Sequence, residues 1–176
     1  GAAGETIVAQ WKQTTIEEVV TAAARGPDDR AYYLREPGKE RVLLFRGRCP
    51  SGSPNFIGDG QILIHLCNGA NVVVGKNGQK LYDLPRLSYP CIVPSRDGRR
   101  FAAYERDSTL FHQFEGTNRL RVKVFRSADG EKLLEYRWTP ESERTNDGRI
   151  GLSEDGSLVA LVRGAEVLIF TVSGRQ

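Results

Sequence analysis

The sequence lacks methionine altogether, has only three cysteines and contains no long apolar run. No stretch approaches the roughly 18 apolar residues of a membrane-spanning helix, so no membrane span is expected. Three cysteines exclude a disulfide-dense scaffold, and no cysteines or histidines stand at the spacing of a zinc site. The missing initiator methionine predicts that the chain is a processed product or a piece of a longer protein.

What the chain does contain is an ordinary globular composition with almost balanced charge. Of its 176 residues 39% are hydrophobic and 27% charged, which excludes disorder as the main state. A net charge of +3 with scattered basic residues gives no reason to expect a nucleic-acid partner. The small residues at 1–4 fit either a signal-peptidase cleavage site or a cloning scar. The localisation stays open, with a periplasmic or extracellular site favoured.

Short apolar runs separated by Asp-Gly or Asn-Gly dipeptides are the main local pattern. Residues 150–172 hold three β-rich runs, the first two separated by Asp155-Gly156. Such a dipeptide between apolar runs predicts a hairpin, because glycine adopts positive φ at little cost. Residues 14–25 have a helix-like spacing of apolar residues, but their β-branched content and their place in the repeat favour a strand at residues 19–23. The same pattern recurs at Asn77-Gly78, Asp97-Gly98 and Asp129-Gly130.

The strand-and-turn pattern repeats about four times along the chain. The repeats span approximately residues 14–50, 51–88, 89–140 and 146–176, an average of about 44 residues if all 176 are shared among four. Repeats of that length with four short strands each are typical of β-propeller blades. The sequence therefore predicts one all-β domain over residues 1–176, a β-propeller-like array of about four antiparallel blades.

Two segments carry a resemblance to a known family. Residues 93–103 and 152–160 each contain a Ser-x-Asp-Gly turn followed by an alanine-bearing strand. Residues 122–125 and 167–170 are similar to the third strand of a blade, which often ends in an aromatic residue. The chain thus resembles the WD-repeat and related β-propeller families, without the Gly-His and Trp-Asp dipeptides of true WD repeats. The resemblance implies degenerate propeller blades.

The N-terminal segment is predicted to complete the last blade. Residues 5–11 resemble residues 132–138, with Ile7 matching Leu134 and Trp11 matching Trp138, while the last repeat stops after three strands. Propellers commonly close in this way, and closure removes an unpaired sheet edge. Two alternatives remain for residues 5–11: they form an ordinary edge strand, or they pair with a neighbouring molecule. For the whole chain the alternative is a β-sandwich, which uses the same turns.

No motif for nucleophilic, phosphate or metal chemistry is present, and no cofactor is expected. His65 alternates with apolar neighbours on a strand, which favours a structural role. The insertion at 107–119 is long enough to predict a binding loop. Its candidate contact residues are Phe111, His112, Phe114 and Arg119.

The cysteines allow one geometric hypothesis. A hairpin at residues 58–60 brings Cys67 towards Cys49, which would permit a Cys49–Cys67 disulfide and leave Cys91 free. The competing interpretation is three buried thiols.

Three functions fit these patterns. The first is a non-catalytic binding module of β-propeller type, whose ligand is a protein or a small molecule. The second is a propeller-class hydrolase, similar to a lactonase or glycosidase, with a site in the central channel. The third is a half-propeller that assembles with a second copy into a larger ring, which makes the protein a homodimer.

Overall fold

The computed structural model describes residues 4–21, 29–47, 53–66, 69–85, 87, 91–107, 119–138, 149–163 and 165–173. In these ranges the regular structure consists of β-strands arranged in four antiparallel sheets, which confirms the predicted all-β class. A search of the same ranges finds no helix with the length and apolarity needed to cross a membrane.

Each sheet is a meander in which strands adjacent in sequence are hydrogen-bonded neighbours. Sheet 1 comprises β1 (Gly4–Trp11), β2 (Thr14–Thr21), β3 (Asp29–Arg35) and β4 (Val42–Gly47). Sheet 2 comprises β5 (Asn55–Gly58), β6 (Gln61–His65), β7 (Asn71–Gly75) and β8 (Lys80–Leu84). Sheet 3 comprises β9 (Cys91–Pro94), β10 (Arg100–Asp107), β11 (Arg119–Arg126) and β12 (Lys132–Trp138). Sheet 4 comprises β13 (Arg149–Leu152), β14 (Leu158–Arg163) and β15 (Glu166–Thr171).

The N-terminal strand lies in sheet 1, so the prediction that residues 5–11 complete the last sheet is wrong. β1 pairs antiparallel with β2, with Trp11 opposite Thr14 and Ile7 opposite Glu17. Only two residues separate the strands, and the first of them, Lys12, has a φ of 54°. So short a loop closes at small entropic cost, whereas pairing with β15 requires most of the chain to be ordered first. The first repeat therefore begins at Gly4 instead of residue 14.

Local sequence accounts for β2. Residues 14–21 are rich in threonine and valine, which favour extended backbone, and Ile16 is fully buried. The predicted strand at residues 19–23 is confirmed for residues 19–21, and the strand begins earlier than predicted, at Thr14.

The chain divides into two compact units. Unit 1 comprises Gly1–Phe56 and Gly60–Arg86, and unit 2 comprises Ile57–Asp59 and Leu87–Gln176. In unit 1 the apolar core joins side chains of sheets 1 and 2, among them Ile16, Tyr32, Ile62 and Ile64. The description of residues 1–176 as a single domain stays a prediction.

In unit 2 sheets 3 and 4 pack face to face. Their shared core contains Val122 and Val124 from β11 together with Val159 and Leu161 from β14, all of them fully buried. The Tyr136 and Phe170 rings add an aromatic contact across the two sheets, with centroids 4.6 Å apart. Sheet 4 thus packs on the face of sheet 3 that carries Val122 and Val124.

The Ser-x-Asp-Gly turns of sheets 3 and 4 adopt the conformation that the sequence predicts. The Asp155 carboxylate accepts hydrogen bonds from the Ser157 amide at 2.9 Å and from the Ser153 hydroxyl at 2.7 Å. These donors hold the pKa of Asp155 at about 2, well below its usual range. Gly156 has a φ of 68°, so it supplies the left-handed residue that closes the turn.

A backbone and side-chain connection joins the two turns. The Asp97 amide donates to the Glu154 carbonyl at 3.0 Å. Arg100 donates from Nη1 to the carbonyls of Gly156, at 3.0 Å, and of Val172, at 3.2 Å. Sheet 4 is therefore held against sheet 3 in one register by polar contacts as well as by the apolar core.

Candidate docking surface

The face of sheet 4 that points away from sheet 3 is apolar and exposed. Residues directly opposite each other on paired strands share a face, and β14 pairs Val162 with Val167 and Ala160 with Ile169. Val167 is 61% exposed and Ile169 67% exposed. Leu158 and Val162, which are 43% and 37% exposed, lie on the same face, two positions before and two positions after Ala160 in β14. We call this surface the outer face of sheet 4; it is formed by Leu158, Val162, Val167 and Ile169.

The equivalent positions in sheet 3 are fully buried. When the two Asp-Gly turns are aligned, Ala102 corresponds to Ala160, and Val124, opposite Ala102, corresponds to Ile169. By the same alignment Val122 corresponds to Val167. Val122 and Val124 are both 0% exposed because sheet 4 packs on them. The outer face of sheet 4 therefore has the composition of a sheet–sheet contact, but no sheet among the described residues of unit 2 covers it.

One edge of sheet 4 is also open. β15 pairs with β14 on one side, and the part of the chain that the structure describes places no strand on its other side. In each of the other three sheets a fourth strand occupies the corresponding place. An open edge beside an apolar face is a surface that readily pairs with another β-strand.

Sheet 1 presents a second surface with exposed apolar residues. Ile7, Glu17, Tyr33 and Leu43 stand opposite one another across the four strands, so their side chains form one row on one face. Ile7 is 63% exposed and Leu43 44% exposed. The core residue Ile16 lies on the opposite face, next to sheet 2. We call the row of four residues the outer face of sheet 1.

Charged groups surround the row on sheet 1. Glu17 is buried and accepts a hydrogen bond from Arg35 through Oε1. Its second oxygen, Oε2, is buried and accepts no hydrogen bond from any residue that the structure describes. Arg41 lies 4.4 Å over the Tyr33 ring and pairs with Glu5 at 2.7 Å. The outer face of sheet 1 thus combines exposed apolar side chains with one buried carboxylate oxygen that lacks a donor.

The predicted binding loop lies largely outside the described residues. Phe111, His112 and Phe114 fall in the undescribed stretch 108–118. Arg119 is the first residue of β11 and pairs with Asp107, the last residue of β10. The backbone therefore leaves sheet 3 for the insertion between these two residues, as the sequence predicts, and the contact roles stay a prediction.

The cysteine hypothesis is tested only at one position. Cys49 and Cys67 lie outside the described residues, so their disulfide stays a prediction. Cys91 is exposed and is a free thiol, so the alternative of three buried thiols is wrong for this residue. In the ranges that the structure describes, no three His, Cys, Asp or Glu residues stand close enough to hold a metal ion.

His65 has the environment of a structural histidine. Its Nδ1 lies 2.6 Å from Asn71 Oδ1, while Asn71 donates from Nδ2 to the Pro85 carbonyl at 2.9 Å. The neutral ring therefore carries its proton on Nδ1 and donates it to Asn71. The other ring nitrogen, Nε2, is buried and has no hydrogen-bond partner within the described ranges. Burial lowers the pKa of His65, because the charged ring would lose its hydration.

We expect unit 1 to lose stability when the pH falls below the ordinary histidine pKa of about 6.5. In that range the unfolded chain binds a proton at residue 65 and the folded chain does not, so protons favour unfolding. The stability is complete above about pH 6.5 and falls until the folded pKa is passed. Urea titrations of the wild type and His65→Gln at pH 7.5, 6.5 and 5.5 measure the effect. Equal pH dependence in both proteins would contradict it.

Neither outer face is among the predicted sites, although the sequence of sheet 4 carries one signal for its outer face. Residues 158–162 and 167–170 are uninterrupted apolar runs, and a strand buried on both faces has such a run in place of alternation. The run predicts strands that pack on both sides. In sheet 1, Leu43 lies in the uninterrupted apolar run 42–45, which is a similar signal, and Ile7 is followed by Val8 and Ala9.

Comparison with known proteins gives a structural likeness alone. No family model matches the chain, and no curated protein matches its sequence. Among solved structures, the Pyrococcus horikoshii acylaminoacyl peptidase matches with a TM-score of 0.64 at 12% identity. The match covers 97% of this chain and 32% of that one. The chain thus shares its fold with part of the peptidase and spans about a third of that protein's length.

Proposed function

We propose that this chain is a non-catalytic protein-interaction module of β-propeller type, which binds a β-sheet of its partner on the outer face of sheet 4. The observation that carries this proposal is the exposure of Val167 and Ile169 at positions whose counterparts in sheet 3 are fully buried. Exposed apolar surfaces of this kind mark interaction sites, because leaving them in water is unfavourable by roughly 25 cal/mol per Å².

The blade arrangement within this proposal is supported by sheet order and packing. All four sheets are meanders of consecutive strands, which is the connectivity of propeller blades. Sheets adjacent in sequence pack face to face within each compact unit, sheet 1 on sheet 2 and sheet 3 on sheet 4. A β-sandwich has two sheets and commonly exchanges strands between them by Greek-key connections. Four separate meanders favour the propeller over that alternative.

Site-specific photo-crosslinking tests the proposal. In the test variant a photoreactive amino acid replaces Val167. In the matched control variant it replaces Leu81, which lies in β8 of sheet 2 and is 40% exposed. We expect adducts from position 167, and mass spectrometry of these adducts should assign the crosslinked partner peptides to β-strands. Position 81 should give none above background. Equal yields at the two positions would overturn the proposal.

The structural likeness to a peptidase favours one second candidate, a propeller-class hydrolase activity of the chain or of a larger protein that contains it. This candidate is tested by incubating the purified chain with N-acetylated peptides and following the appearance of the N-acetyl amino acid and of the new free α-amino group on the shortened peptide. We expect no release above the uncatalysed rate. Turnover that scales with protein concentration would exclude a non-catalytic module and support the hydrolase.

A further inference from the structure

We infer that the turn between β7 and β8 is a spontaneous modification site, at which Asn77 exchanges its side-chain amide for water and becomes aspartate or isoaspartate. This inference goes beyond the proposed function and does not depend on it. It is carried by the exposure of Asn77, by the glycine that follows it, and by the position of that glycine, Gly78, against the backbone of β4.

The turn leaves the reacting amide open to solvent. Gly78 donates from its backbone nitrogen to the Gly75 carbonyl at 2.9 Å, and Asn77, the residue before it, is exposed. Within the described part of the chain, Asn77 Oδ1 accepts one hydrogen bond, from the Gln79 amide at 3.3 Å, and the Nδ2 group donates none. A bond of that length is weak. The side chain of Asn77 is therefore held by little besides its own turn.

The reaction needs water as its only co-reactant. The Gly78 nitrogen attacks Asn77 Cγ, a carbon–nitrogen bond forms, and the side-chain amide leaves as ammonia with the proton that Gly78 gives up. Glycine favours this attack, because no Cβ stands beside the nitrogen. Water then opens the resulting succinimide ring, and the ring nitrogen takes back a proton. Opening at Cγ gives aspartate, whereas opening at the main-chain carbonyl gives isoaspartate, whose backbone runs through Cβ and Cγ.

The other asparagines that the structure describes lack this combination. Asn71 is only 2% exposed, donates from Nδ2 to the Pro85 carbonyl and is followed by valine. Asn55 donates from Nδ2 to the Ser53 carbonyl and is followed by phenylalanine. A side chain beside the attacking nitrogen hinders its approach, and a paired strand must open locally before its backbone can bend towards the amide. Asn77 is therefore expected to react first of the three.

The Asp-Gly turns have the same shape but a less reactive side chain. Asp155 occupies the turn position of Asn77, since Gly156 donates to the Ser153 carbonyl as Gly78 does to that of Gly75. Hydrogen bonds from the amide of the next serine and from neighbouring hydroxyls hold the pKa of Asp155 at about 2, so its carboxylate is ionised at neutral pH. An ionised carboxylate resists attack by a nitrogen nucleophile. The neutral amide of Asn77 has no such protection.

The isoaspartate product would disturb a close contact inside unit 1. A Cβ added to Gly78 would collide with the backbone carbonyl oxygen of Leu43 in β4, so the turn meets sheet 1 with no spare room. Isoaspartate adds one methylene group to the main chain immediately before Gly78. Because β7 and β8 fix the two ends of the turn, the extra length displaces Gly78, and overpacking against Leu43 destabilises the unit. The aspartate product leaves the main chain unchanged and keeps this contact.

One hydrogen bond slows the reaction in the folded chain. While the Gly78 N–H group donates to the Gly75 carbonyl, its nitrogen is engaged away from the Asn77 side chain. The turn must open before attack, and an exposed hairpin end opens at a smaller free-energy cost than the strands beside it. We therefore expect conversion at Asn77 to proceed in the folded chain and to be faster in denaturant.

Ageing of the purified full chain in mildly alkaline buffer, followed by peptide mapping with mass spectrometry, tests the inference. We expect conversion to be at least about tenfold faster at Asn77 than at Asn71, which reacts only when β7 opens. Asn77→Gln, whose longer side chain would have to form a larger ring, should stay unconverted at this position. Asn68 also precedes a glycine but lies outside the described residues, so it is mapped separately. Conversion at Asn77 no faster than at Asn71 or Asn55 would overturn the inference.

Thermal unfolding of the aged protein tests the effect on unit 1. The isoaspartate form, isolated by chromatography and identified by fragmentation of its peptides, should unfold at a lower temperature than the wild type. Asn77→Asp is the matched control, because it carries the same new charge on an unchanged main chain, and it should unfold close to the wild type. An isoaspartate form as stable as Asn77→Asp would overturn the link between the modification and the contact of Gly78 with Leu43.

Discussion

Lys123→Met is expected to destabilise unit 2 by about 3–5 kcal/mol, the usual cost of removing one partner from a buried ion pair. Lys123 pairs with Glu105, and their side chains are only 7% and 3% exposed. The two residues lie diagonally on one face of β10 and β11, since Ala103 stands opposite Lys123 and Glu105 opposite Arg121. Without Lys123 the Glu105 carboxylate keeps its desolvation cost and loses the attraction of the Lys123 ammonium group. Urea denaturation followed by tryptophan fluorescence measures the change.

The double variant Glu105→Leu/Lys123→Met is the informative comparison. Because apolar residues that replace a whole buried pair often leave stability unchanged or higher, the double variant should recover most of the loss. Arg96→Met removes one partner of an ion pair whose side chains are 81% and 73% exposed, and it should cost less than about 1 kcal/mol. A Lys123→Met variant no less stable than Arg96→Met would show that the buried pair contributes little.

Gly78→Ala is expected to destabilise unit 1 by about 2–5 kcal/mol, through left-handed backbone strain and overpacking together. Gly78 has a φ of 78°, and an added Cβ would collide with the backbone carbonyl oxygen of Leu43. Because that atom belongs to the main chain of β4, it moves only if sheet 1 itself is distorted. Thermal unfolding followed by circular dichroism measures the loss.

Gly38→Ala provides the matched control in the same unit. Gly38 has a φ of 71°, but an added Cβ would meet no atom within 4 Å. Only the backbone strain of about 1–2 kcal/mol remains, so Gly38→Ala should be the milder substitution. Equal losses in the two variants would mean that the approach of Leu43 to Gly78 is unimportant.

The turns and the strands beside them could be predicted from sequence because their determinants are local. An Asp-Gly dipeptide requires positive φ at glycine, and Gly60, Gly98 and Gly156 all adopt it. The aspartate caps the turn through its own side chain, as Asp155 does for Ser157. Four repeats of meandering strands follow directly from these positions.

The partner of the N-terminal strand could not be predicted in the same way. The matches of Ile7 with Leu134 and Trp11 with Trp138 describe a side-chain pattern, and a pattern of this kind fits more than one sheet edge. What decides the pairing is the two-residue turn at residues 12–13, whose sequence carries neither glycine nor asparagine. The conformation of Lys12 is stabilised by the sheet that forms around it, which is a tertiary effect.

The outer faces of sheets 1 and 4 could not be predicted from the sequence for a related reason. Exposure depends on whether a second sheet covers a strand. An uninterrupted apolar run indicates packing on both faces, but it does not identify the sheet that packs there. Val124 and Ile169 are chemically similar and occupy equivalent positions, yet one is fully buried and the other mostly exposed. Only the arrangement of sheets 3 and 4 distinguishes them.

The meander order of the four sheets has a consequence for the rate and order of folding. Every strand pairing described here joins strands that are consecutive in sequence, so the chain closes only short loops to form any one sheet. Proteins whose contacts are local in sequence fold faster than β-proteins of the same size with distant pairings. Each sheet can therefore form before its neighbours are present, and packing of one sheet on the next becomes the later step. Amide hydrogen exchange should then show protection that rises and falls sheet by sheet along the chain.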